Sequence, residues 1–161
     1  MYSANRFTNW QEFDPAWAEA QATHKKFDGK IAKRPAFPKV IALPIHEEFV
    51  RACSAQQVED KLLDMNPEFI EGLRAVFILG GTRKQMISWN SSVTTYGHYW
   101  NSCIFLHAFP QKAPRGELAR LRAFFLHDVL VHEIGHHVDQ RRYSTTKERE
   151  QFAEQFVREH G

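Results

Sequence analysis

The chain has 161 residues, 43% of them hydrophobic and 25% charged, with a formal net charge of +2. That length suits one domain (1–161) with a real core, the composition is that of a soluble globular protein, and the charge speaks for no nucleic-acid partner. The basic pairs Lys25-Lys26 and Arg141-Arg142 read as solvated faces rather than a phosphate-binding stripe.

Met1 to Trp10 is polar and has no signal-peptide pattern, and no apolar run is long enough to cross a bilayer. Cys53 and Cys103 stand alone and are expected as buried thiols rather than a disulfide, so a cytoplasmic protein is expected. Export without a leader stays open. Asp14-Pro15 is a helix start, and Trp17, Ala20, His24 and Phe27 give that helix an apolar face that Gly29 can end. Pro35, Pro38 and Pro44 make Ile31 to Pro44 an extended connection. Short helices follow, capped at Ser54-x-x-Gln57 and at Asn66-Pro67, and they complete a helical N-terminal part over residues 1–65 ahead of a core over 66–161. Val76 to Leu79, closed by Gly80-Gly81, reads as a buried strand, and Met86 to Trp89 and Tyr96 to Phe109 as further strands. Gly116 to Gln140 reads as one long helix, and Thr145-x-x-Glu148 caps a last helix to about Glu159.

The long helix carries His132-Glu133-Ile134-Gly135-His136. Residues four apart on a helix share a face, so two imidazoles can grip one zinc ion. Glu133 then sits beside the metal, placed to take a proton from a zinc-bound water. Nine histidines and only three fixed positions leave room for coincidence, so the surroundings matter. A catalytic zinc takes three protein ligands and keeps one position open. Glu150 and Glu154 lie four apart on the last helix, which a short turn brings back against the motif helix with small Ala153 at the crossing. One glutamate can bind zinc while the other hydrogen-bonds a ligand imidazole. Surface charge is the plain alternative for both.

Other residues compete as ligands. Asp139 shares the face of His136 but sits a turn further on, which fits a polar support at the helix end. His137 should point away, and His127 and Asp128 read as ordinary polar residues or outer supports. Cys103 is the rival third ligand of a peptide deformylase-like hydrolase, although Asn101-Ser102-Cys103-Ile104-Phe105 does not match the deformylase cysteine motif.

His132-Glu133-x-Gly135-His136-x-Val138-Asp139, followed by Glu150-x-Phe152-Ala153-Glu154-x-Phe156, resembles the gluzincin-type metallopeptidases. The nearest patterns are the anthrax lethal factor catalytic domain and the bacterial Pro-Pro endopeptidases. The repressor-cleaving metallopeptidases of mobile elements are similar in their Glu-x-x-Ala spacing. The resemblance spans Val131 to Val157. It implies Glu150 as third zinc ligand, Glu154 as its outer neighbour and Tyr143, seven residues before Glu150, as an oxyanion donor. Two departures stand out: only thirteen residues separate His136 from Glu150, and only eleven follow Glu150. The first places Tyr143 in the turn itself.

The expected fold is therefore α+β, a minimal zincin-like arrangement in which a small mixed sheet packs on the motif helix and a C-terminal helix returns the third ligand. The expected function is a Zn²⁺-dependent metallopeptidase acting on a peptide or protein substrate. Substrate would extend along an outer strand within Tyr96 to Phe109. A zincin-fold regulatory module that cleaves nothing and a structural zinc site are the competing expectations. His160-Gly161 is expected near the site, where it would mask it.

Overall fold

The structure, a computed structural model, describes residues 15–51, 53–83, 96–110, 118–139 and 145–161. Helix α1 spans Pro15–Phe27 and runs into a 3-10 turn at Asp28–Lys30. Strand β1 is Lys39–Ala42 and β2 is Phe49–Val50. Helix α2, Ala55–Asp64, begins at the expected Ser54–Gln57 capping box, and α3, Pro67–Ile70, at an Asn66 cap that accepts from the Glu68 N–H. Strands β3 (Ala75–Ile78), β4 (Gly97–Trp100), β5 (Cys103–Leu106) and β6 (Phe109–Pro110) come next. The helical remainder is α4 (Leu118–Phe124), α5 (Leu130–Val138) and α6 (Thr146–His160).

The sheet order is β1-β3-β5-β4, parallel except for the antiparallel edge strand β4. A second two-stranded piece pairs β2 with β6. This is an α+β fold with a small mixed sheet. Alternating side chains divide the core in two. Val76, Ile78, Ile104 and Leu106 pack with α2, α5 and α6, whereas Ala75, Phe77, Leu79, Cys103 and Phe105 pack with Trp17 and Ala20 of α1. Buried Arg74 fastens the end of α1 to the sheet by donating to the Asp28 carboxylate and to the carbonyls of Asp28, Ile31 and Ala32.

Three expectations change. The proline-rich connection contains a true strand, β1, because its Lys39–Ala42 stretch finds β3 as a parallel partner. The long helix is broken by a π turn over Phe125–Val129, in which the Leu130 N–H donates to the Phe125 carbonyl. That wider turn lets Phe125 and Leu130, five apart, enter the same core. The helix also stops at Val138, with Asp139 already extended. Met86 to Trp89 lies outside the described residues. Among the described residues no helix is long and apolar enough to cross a membrane.

β4 and β5 are joined by a two-residue turn in which Asn101 and Ser102 both have positive φ, 51° and 59°, the geometry of a tight hairpin. The His107 N–H donates to the Tyr96 carbonyl at 2.9 Å, which marks that pair as hydrogen-bonded. Pairs alternate along an antiparallel ladder. His98 therefore exchanges bonds with Phe105, while the backbone groups of Gly97 and Tyr99 turn to the outer edge of the sheet.

Candidate metal centre

Helix α5 is buried nearly all round, from Leu130 to Gly135 and again at His137. One side faces the sheet and the other faces α6, which the Thr145–Glu148 capping box starts after the reversal. The two helices meet where side chains are smallest. A Cβ on Gly135 would lie 3.1 Å from both Ala153 Cα and Phe156 Cβ, and Ala153 is fully buried. Close approach at this crossing carries Glu150, one turn earlier on α6, over the two motif histidines.

His132 Nε2 lies 3.0 Å from Glu150 Oε2, and His136 Nε2 lies 3.3 Å from Glu150 Oε1. The His136 nitrogen is buried and has no aligned hydrogen-bond partner among the described residues. Tetrahedral zinc with bonds of about 2.0–2.1 Å sets its ligand atoms about 3.3 Å apart, so this donor set fits that ion. Among the described residues, His132, His136 and Glu150 are the group of His, Cys, Asp and Glu side chains that can hold a metal. Burial alone would raise the Glu150 pKa, but the adjacent imidazoles of His132 and His136 outweigh it and bring it to about 2. Burial likewise works against a charge on His136, yet the adjacent Glu150 carboxylate and those of Glu133 and Asp139 raise its pKa.

Glu133 is 1% exposed. Burial pushes its pKa up, opposed by His136 and His132. The carboxylate fits only because β4 offers a glycine there. A Cβ on Gly97 would stand 2.9 Å from Val129 Cγ1 and 3.3 Å from Glu133 Oε2. Tyr99, two residues along the same strand, brings its hydroxyl to 2.7 Å from His137 Nδ1, while His137 Nε2 donates to the Glu71 carbonyl at 2.7 Å. Because Nε2 must carry the proton for that carbonyl, the neutral ring accepts from Tyr99 at Nδ1. Neither Gly97 nor Tyr99 carries a motif; both gain their place from the pairing of β4 with β5.

The remaining expected residues fall as follows. Asp139 caps α5, half-buried, with its N–H on the Gly135 carbonyl, and its charge acts on His136. Glu154 is exposed and borders a cavity of about 300 Å³ that it shares with His132, Asp128 and Arg158 and whose apolar walls are Phe124, Val129 and Val157. His137 points away from the triad, as expected. His127 and Asp128 are exposed on the π turn, with His127 Nδ1 3.1 Å from Lys61 Nζ. Cys103 is fully buried in the α1-side cluster, where burial lifts its thiol pKa to about 11, so a set with Cys103 as ligand is not assembled. Tyr143 lies outside the described residues. His160 and Gly161 do not mask the triad. The His160 ring packs at a tilt against Phe69 and Phe156, and a Cβ on Gly161 would touch the His127 carbonyl, about 15 Å along α6 from Glu150.

Comparison of the chain with protein-family models, with curated proteins and with solved structures finds no match in any of the three.

Proposed function

We propose that the chain is a zinc-dependent metallopeptidase of gluzincin type on a minimal zincin-like fold. The observation that carries this reading is the convergence of His132 Nε2 and His136 Nε2 on the two oxygens of Glu150 beside the buried carboxylate of Glu133. His132, His136 and Glu150 would hold the zinc ion, which when bound would supply Lewis-acid polarisation of a peptide carbonyl and a water pKa lowered to about 7. Glu133 accepts the water proton and passes it to the departing amine. Its burial favours that role, because a carboxyl with a raised pKa exchanges protons nearer neutrality. The backbone groups of Gly97 and Tyr99 pair with an extended peptide, which recognises main chain and places the scissile bond over Glu133. The apolar cavity beside His132 then receives a neighbouring apolar side chain of that peptide. Tyr143 is the proposed oxyanion donor, on the resemblance alone, and Glu154 and Asp139 support the ligands from outside.

Two measurements test this. Anomalous scattering on either side of the zinc edge should give one ion held by His132, His136 and Glu150. Glu133→Gln should keep that ion and lower cleavage of a peptide library, read by mass spectrometry, by about 10²–10⁴-fold. A chain that takes up no zinc would sink the reading. Cleavage that survives the substitution would remove Glu133 as the base.

A further inference from the structure

Behind the strand that flanks Glu133 runs a buried polar chain that the metal chemistry does not use. His98 of β4 and His107, just past β5, are 1% and 2% exposed, on the α1 side of the sheet. His98 Nδ1 lies 2.8 Å from His107 Nε2, with the rings nearly perpendicular at 83°. His107 Nδ1 lies 3.6 Å from Glu19 Oε1, and Glu19 Oε2 accepts the Gly81 N–H at 3.0 Å. One chain of polar atoms thus links α1, the end of β3, the end of β5 and the edge strand β4. Glu19 Oε1 accepts no hydrogen bond among the described residues, so its contact with His107 is electrostatic. With His107 Nδ1–H turned toward that carboxylate, its Nε2 accepts and His98 donates from Nδ1. His98 Nε2 is then a bare lone pair, buried with no hydrogen-bond partner among the described residues, and the centroids of the His98 and Trp17 rings lie 4.9 Å apart. Burial and the neighbouring His107 hold His98 far below the usual imidazole pKa.

Such a chain contributes little net stability. Apolar side chains of similar volume would do as well or better. Its value is directional, because a hydrogen bond can be made in only one register. β4 needs that specification: it has four residues and one strand partner among those described. A slip of one residue exchanges the faces of a strand. It would drive the His98 ring or the Tyr96 ring onto Val129 and Glu133, where only a glycine fits. We infer that His98 is a positioning residue which, through His107 and Glu19, fixes the register of β4 and so determines that Gly97 lies against Glu133 and that Gly97 and Tyr99 present their backbone at the sheet edge. The register does not depend on the proposed hydrolysis. Its consequence for a bound peptide does.

The test reads register directly. Wild-type protein with isotope-labelled histidine should show a nitrogen–nitrogen coupling through the His98–His107 hydrogen bond, and its absence would overturn the inference. The double variant His98→Val/His107→Leu should stay folded and bind zinc as the wild type does. It should nevertheless weaken the Gly97–Leu106 cross-strand contact in nuclear Overhauser spectra. Amide exchange at positions 98 and 105 should rise at least about tenfold relative to β3. A double variant that keeps the wild-type contact and exchange would show the polar chain to be dispensable and would sink the proposal. Should that variant not fold, Glu19→Gln is measured in its place by the same two readouts, with the same outcomes. If the metallopeptidase reading also holds, KM for peptides rises while kcat changes less. A loss of zinc uptake would instead point to the metal centre.

Discussion

At the scale of single residues, the zinc ion proposed for the triad would compete with protons for His136. Its pKa is raised, and metal binding needs the neutral ring. Falling pH therefore weakens zinc binding once it passes below that raised value, by about tenfold per pH unit for each imidazole that must lose its proton. Glu150, at about 2, stays ionised throughout, so the acid side of the profile includes His136 and not Glu150. Zinc titration against a competing chelator between about pH 8 and pH 5 checks the slope. Glu150→Gln, which keeps shape but removes charge, should weaken zinc by more than the roughly 10–100-fold typical of an outer partner. Much of this centre was legible in the amino-acid order. His132, Glu133 and His136 follow from helical spacing; the short turn brought back Glu150 and Glu154 alike, and only the resemblance to the gluzincin pattern singled out Glu150. Gly97, Tyr99 and the His98–His107 pair were not, because only strand pairing brings them to the site.

At the scale of elements, the contact between α5 and α6 decides the sign of one substitution. Glycine inside a helix ordinarily costs about 1 kcal/mol relative to alanine. Gly135→Ala should nonetheless destabilise, by about 1–3 kcal/mol, because the new methyl meets the backbone of Ala153 at 3.1 Å and backbone yields poorly. Urea denaturation measures the loss. The same displacement should move Glu150 off the histidines and lower zinc affinity. Elements with local signals were readable in advance: the caps at Ser54, Asn66 and Thr145 all form. β1 was hidden because Lys39–Ala42 is a half-exposed stretch between prolines whose identity as a strand depends on β3. The π turn was hidden for a similar reason: a five-residue spacing pays off only once a core exists on that face.

At the scale of the whole molecule, the described residues before 65 are part of the body that carries the site. β1 is a strand of the main sheet, and Trp17 and Ala20 help to fill its second core. Removing bound zinc should therefore be felt throughout. At a free concentration 100 times Kd the ion contributes about 2.7 kcal/mol. A chelator should then lower Tm by about 5–10 °C for a domain of this size, which calorimetry reads. The ligands themselves are close neighbours in the chain, with His132 and Glu150 only eighteen positions apart, whereas the Glu19–Gly81 bond spans sixty-two. Closing the short loop has the smaller entropic cost. Time of assembly follows from that difference. A helical hairpin holding zinc can form before the sheet is complete and serve as the template on which the strands collect. Stopped-flow refolding with zinc present from the start should be faster than refolding of the apo chain; equal folding rates, with only unfolding slowed, would mean that the metal arrives last.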